Sequence, residues 1–162
     1  MNSRIQRLRA EIMSDRRAVA EQLDVLQRLD LAGPSPSSGD IARAAIALHH
    51  VYSGLETVLL RVARDVDGGE PGGADWHQAL LDTMGLDIEG VRPALVSGPT
   101  LAHLRALLAF RHFFRHAYSV ALDPARLAEL RQLTQDARPG LEADLGRLDT
   151  FLAELADTVG GF

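Results

Sequence analysis

The chain has no cysteine and no lysine, so all 17 of its basic residues are arginine. The first absence excludes disulfides and thiolate metal sites, and leaves the compartment unreadable from redox chemistry. The second fits a GC-rich coding genome, although arginine also suits bidentate phosphate contacts. Aromatic residues are 5% and are not interleaved with basic ones, which argues against a stacking platform for single strands. No apolar run reaches the roughly 18 residues of a membrane span. Met1 to Arg7 mixes charges without an apolar stretch, so no signal peptide is expected and a cytoplasmic location follows by default. The two-residue alternation of half-buried strands is missing throughout. So are a Walker loop, a dinucleotide fingerprint and a Gly-x-Ser-x-Gly elbow.

What is present is a chain of 162 residues, 46% hydrophobic, with a net charge of −5. This fits one domain, 1–162, with enough length for a core. Helical periodicity dominates. A first helix is predicted over about 3–29, with apolar positions Ile5, Leu8, Ile12, Val19, Leu23 and Leu26. Gly33-Pro-Ser-Pro-Ser-Ser-Gly39 breaks the chain, and Asp40 is the expected N-cap of a second helix. Ile41, Ala45, Leu48, Tyr52, Leu55, Leu59, Val62 and Val66 then make a seam spaced alternately four and three, as in a helical bundle. A short helix is expected near Trp76 to Met84, with Asp75 and Gln78 as a capping box and Trp76-His77 as a lid. A fourth helix is predicted from Thr100 to about Tyr118. A last one begins with Asp123 as N-cap and Pro124 as N1, and Arg138-Pro139-Gly140 is expected to kink or break it. The expected fold is all-α: an up-and-down bundle of four longer helices plus one short helix, paired as a two-fold homodimer.

Charge is unevenly spread. From Val91 to Leu122 there is no Asp or Glu, while Arg92, Arg105, Arg111, Arg115, His103, His112 and His116 all fall there. A local cationic surface on an acidic protein suggests phosphate handling. On the fourth helix Leu101, Leu104 and Leu108 begin a seam that the same spacing continues into Arg111, Arg115 and Tyr118. A third line of Ala106, Ala109, Phe113 and His116 would let a second copy approach. Arg115 and His116 are also explained as cations at a helix C-terminus; Arg111 on the seam is not. His112 and His116 have a spacing that can bind a metal, but no acid in the segment completes a site, so no metal is expected. His49 and His50 read as partly buried packing groups. For Glu56 the first expectation is a solvated helix face, and an ion pair with the fourth helix the alternative.

Arg111-His-Phe-Phe-Arg-His116-Ala-Tyr118 resembles the signature of the HEPN superfamily: Arg, a polar residue, three variable residues and His, extended by x-Tyr in the HepT-type branch. His49-His-Val-Tyr-Ser-Gly-Leu-Glu56, Arg61 to Asp67, Trp76 to Leu81 and Leu122-Asp123-Pro124 are also similar to HepT-like ribonuclease toxins, so the likeness runs over roughly 41–155. The resemblance implies a metal-independent endoribonuclease toxin of a type II toxin–antitoxin system, active as a homodimer and needing no cofactor. It would cut RNA, not DNA, leaving a 2′,3′-cyclic phosphate. It implies Arg111 and His116 as catalytic residues and His112, Arg115 and Tyr118 as substrate-binding ones. It further implies an MNT-type nucleotidyltransferase antitoxin that transfers AMP to Tyr118. A catalytically silent nucleotide-binding partner of a nucleotidyltransferase is the alternative. Arg111 and His116 are five apart, roughly 140° around a helix, so one site needs a curled Arg side chain or His116 from the second copy.

Overall fold

The computed structural model describes residues 2–116 and 122–160. Within them lie five helices: α1 (Asn2–Arg28), α2 (Ser38–Asp65), α3 (Trp76–Met84), α4 (Gly98–His116) and α5 (Pro124–Gly160). Among the described residues there is no strand, only one isolated bridge between Ile88 and Arg92. The fold is all-α. No described helix is long and apolar enough to cross a membrane.

Side-chain pairs fix the helix directions. Arg4 meets Asp65, Arg61 meets Glu11 and Asp15, and Val19 lies against Gly54, so α1 and α2 run antiparallel. Arg9 with Asp149 and Arg138 with Asp24 do the same for α1 and α5. Ser97 with Asp144 and His103 with Thr134 orient α4 against α5. Arg111 beside Glu56 and Phe114 against His49 orient α4 against α2. The four long helices therefore alternate up and down. α2 touches each of the other four helices, and α3 closes the space between α2 and α4.

This central position explains why α2 is buried beyond its seam. Ala45, Leu48, Tyr52, Leu55, Leu59 and Val62 are buried as the spacing predicts, and Ala44, Val51 and Val58 form a further buried line. Gly54 allows the closest helix approach: a Cβ there would meet Val19 Cγ2 at 2.6 Å.

Three local expectations are corrected. The N-cap of α2 is Ser37, not Asp40; its side chain accepts a 3.1 Å hydrogen bond from the Asp40 N–H. Asp75 makes no side-chain cap bond, so the capping box at α3 is absent. Pro139 does not break α5, which runs through it. The proline removes one N–H and crowds the carbonyl one turn back. Here both flanks are tied to α1: before the proline Arg131 donates to the Leu26 and Gln27 carbonyls, Gln135 to the Leu23 carbonyl and Arg138 to Asp24, and beyond it Asp149 accepts from Arg9. The contact from Arg131 also serves the Gln27 carbonyl, which lies in the last turn of α1.

Candidate functional site

The alternation of three and four places His49, Tyr52 and Glu56 along one side of α2. α4 runs antiparallel across them and brings Arg111 to the same level. The Arg111 guanidinium carbon lies 5.7 Å from the centre of the Tyr52 ring. Its Nη2 lies 3.9 Å from Glu56 Oε1, too far for a hydrogen bond. α3 supplies the third wall: His77 Nδ1 lies 2.6 Å from Glu56 Oε2. The His77 ring stacks on Trp76, with ring centres 3.6 Å apart. Phe114, one turn on from Arg111, packs against His49 at 5.7 Å.

Glu56 is thus not on a solvated face. Its side chain is 8% exposed, and the ion-pair alternative is the one observed. A carboxylate this deep is costly unless it is bonded and paired. It has one short contact, to His77, and a loose one, to Arg111. Around it, polar atoms outnumber partners. Arg111 Nε and His49 Nδ1 are buried and have no hydrogen-bond partner among the described residues, whereas the buried Tyr52 hydroxyl is turned toward Glu56. Buried polar groups are overwhelmingly bonded, so two unserved atoms beside one carboxylate make a polar cluster with bonding capacity to spare.

Electrostatics agree. Burial, then the Glu56 charge and a hydrogen bond to Glu56, hold the Tyr52 phenol far above its ordinary value, with Arg111 opposing, so it stays neutral. Burial, then the Arg111 charge, push His49 below the usual imidazole value, with His50 and Arg115 acting the same way and Glu56 opposing.

The acid-free window is less cationic in space than in sequence. Arg92 is paired with Asp67 and Arg105 with Asp82, each at 2.6 Å, and His103 is buried against Thr134. Acids from other elements neutralise those groups, which a linear window cannot register. What stays at the polar end of α4 is Arg111, half-buried, with Arg115 and His112 exposed. Arg115 has no ion pair among the described residues. His116 is the last residue of α4. Its side chain, and Tyr118 altogether, lie outside the described residues. Positions 111 and 116 stay on different sides of α4, because the helix is unbroken between them.

Tyr52 and His77 are the candidate site residues that sequence reasoning passed over, and Glu56 is one it placed on a solvated face first, with the ion pair as the alternative. Tyr52 was counted as seam, yet it is the one seam residue with a polar group, and Glu56 follows it by four. Trp76-His77 was expected as a lid. His77 instead points its Nδ1 at Glu56 from a ring a quarter exposed. His49 is half-buried as expected, whereas His50 is exposed. No group of three or more His, Asp or Glu side chains among the described residues could share a metal ion.

The chain is an antiparallel all-α bundle with an arginine-centred polar cluster toward the end of its fourth helix. The family comparison is specific: a family model described as HepT-like protein matches residues 43–152, about two-thirds of the chain. The chain belongs to the HepT-like family, within the HEPN superfamily. No curated protein and no solved structure matches it.

Proposed function

We propose that this chain is the ribonuclease toxin of a toxin–antitoxin pair. Family membership suggests a HEPN-type toxin. One observation carries the finer reading: Arg111 is only 15% exposed, lies 3.9 Å from its nearest acid, and keeps a buried Nε without a partner among the described residues. A buried arginine not used up by structural bonds is suited to phosphate oxygens as charge builds on them.

In this reading Arg111 stabilises the phosphorane-like state and His116 transfers a proton. Arg115 and His112, exposed at the same end of α4, hold the RNA backbone. His116 reaches the Arg111 pocket from a second copy. The line Ala106, Ala109 and Phe113 supports that pairing, since Phe113 is 47% exposed and Ala109 is exposed beside it. The product is a 2′,3′-cyclic phosphate. A nucleotidyltransferase antitoxin neutralises the toxin by placing AMP on Tyr118, seven residues after Arg111 and three after Arg115 in sequence, and so blocks RNA entry.

The test is induced expression of wild type beside His116→Ala, with growth and total RNA followed in both. Growth arrest and RNA fragments ending in 2′,3′-cyclic phosphate are expected from wild type alone. Intact RNA and equal growth in both, with an unmodified intact mass, would leave the second reading, a silent nucleotide-binding subunit. The incompletely paired Arg111 supports that one too, because a guanidinium can hold a phosphate without cleaving anything.

A further inference from the structure

Cleavage of RNA through its own 2′-oxygen needs a group that accepts the 2′-hydroxyl proton and another that protonates the departing 5′-oxygen. Arg111 does neither, since a guanidinium is never deprotonated in a protein. His116 is one proton-transfer group, on another side of α4 from Arg111. The pocket built by a single chain already holds a second.

We propose that His77 is the residue that takes the 2′-hydroxyl proton, with Glu56 as its positioning carboxylate; this rests on the ribonuclease reading above. Three observations carry it. First, the 2.6 Å contact joins His77 Nδ1 to Glu56 Oε2. A carboxylate only accepts, so the ring proton sits on Nδ1 and Nε2 is the basic nitrogen. Second, the ring is held in place, stacked at 28° on Trp76, yet remains 25% exposed. An orienting acid behind a partly exposed imidazole is the arrangement that makes a general base. Third, the other oxygen of the same carboxylate faces Arg111. Glu56 therefore links the proton acceptor and the phosphate-holding cation from the centre of α2. Packing alone offers no reason for a buried acid there: Leu55, Val58 and Leu59 around it are apolar.

The step balances. His77 Nε2 takes the 2′-hydroxyl proton as the 2′-oxygen bonds to phosphorus. The bond from phosphorus to the 5′-oxygen breaks, and His116 as imidazolium protonates that oxygen. The products are a 2′,3′-cyclic phosphate and a 5′-hydroxyl. Solvent then exchanges one proton with each ring, and no other reactant is consumed.

The experiment uses the full chain, unmodified by intact mass, on a labelled single-stranded RNA oligonucleotide. Wild type, His77→Asn, His77→Ala and His116→Ala are compared, with thermal melting of each. Asn keeps an N–H near the position of Nδ1 and so keeps the Glu56 contact, but has no basic nitrogen. His77→Asn is expected to melt like wild type and to lose kcat by about 10²- to 10⁴-fold with KM nearly unchanged. Added imidazole is expected to restore part of the rate to His77→Ala. Wild-type cleavage with His77→Asn within threefold of it would overturn the role of His77 and leave the ribonuclease reading standing. A slow His77→Asn whose loss lies in KM, with no imidazole rescue of His77→Ala, would overturn it too, in favour of a binding contact. No cleavage by wild type would overturn the ribonuclease reading, and this inference with it.

Discussion

Two arginines of this protein are drawn into the interior, and they are held in opposite ways. Arg92, in the connection between α3 and α4, has a fully buried side chain. All five of its N–H groups are used: two on Asp67 at 2.6 and 2.8 Å, and three on the carbonyls of Thr83, Leu86 and Pro93. Arg111 has one loose carboxylate, one aromatic face and a buried Nε without a partner among the described residues. The same side chain is a structural tie in one place and unspent binding capacity in the other. Burial of a charge therefore says little by itself. The bonds that are left over distinguish a site from a scaffold.

The largest expected effect comes from exchanging the two losses. Asp67→Ala strands the Arg92 charge and should cost about 3–5 kcal/mol in denaturant unfolding. Arg111→Ala removes few bonds and should cost about 1 kcal/mol, while lowering RNA cleavage by about 10²- to 10³-fold. Equal stability losses would break the comparison, because Arg111 would then be a tie like Arg92.

A smaller effect sharpens it. His103 also has a buried ring nitrogen without a partner, Nδ1, but its other nitrogen bonds Thr134 at 3.0 Å and no charged group adjoins it. Burial lowers its pKa to about 4. The unfolded chain, with an ordinary value of about 6.5, binds more protons between those limits. Stability is therefore fully present above about pH 6.5 and is lost as pH falls towards 4, by about 3 kcal/mol in all. His103→Gln should flatten that acid slope in thermal melts and leave cleavage unchanged. A loss of cleavage would mean that an isolated unserved atom marks a site as well as a cluster does.

The smallest effect probes scaffold alone. Gly54→Ala presses a methyl onto Val19 and should destabilise the α1–α2 contact by about 1–3 kcal/mol, read from the unfolding midpoint. The ratio of Arg111→Ala to parent cleavage should be the same in that background. A changed ratio would show that the pocket is coupled to the α1–α2 packing.

Much of the fold was legible because helices are local. The seam of α2 and the span of α3 follow from spacing and breakers, and Asp123 before Pro124 does act at the start of α5, accepting from the Ala125 N–H. Legibility failed where a distant element intervened. Pro139 disfavours a continuous helix locally, yet α5 runs through it, with ties to α1 on either side. At the site, Arg111 was legible because a cation on an apolar seam contradicts its surroundings. Glu56 was legible only as the alternative, an ion pair with α4, since nothing in its neighbours in sequence says that α4 and α3 will cover it. His77 was hidden for the same reason, 21 residues from the acid it meets.

The sequence by itself determined an all-α chain, its helix limits to within a few residues, and an arginine that does not belong on a packing seam. Those features depend on neighbours within a turn or two. Tertiary structure alone decided which charges cancel, leaving Arg92 and Arg105 spent and Arg111 unspent, and which acid and which imidazole share its pocket. Pairing of charges depends on distance through space, and antiparallel packing of α2, α3 and α4 sets that distance irrespective of separation along the chain.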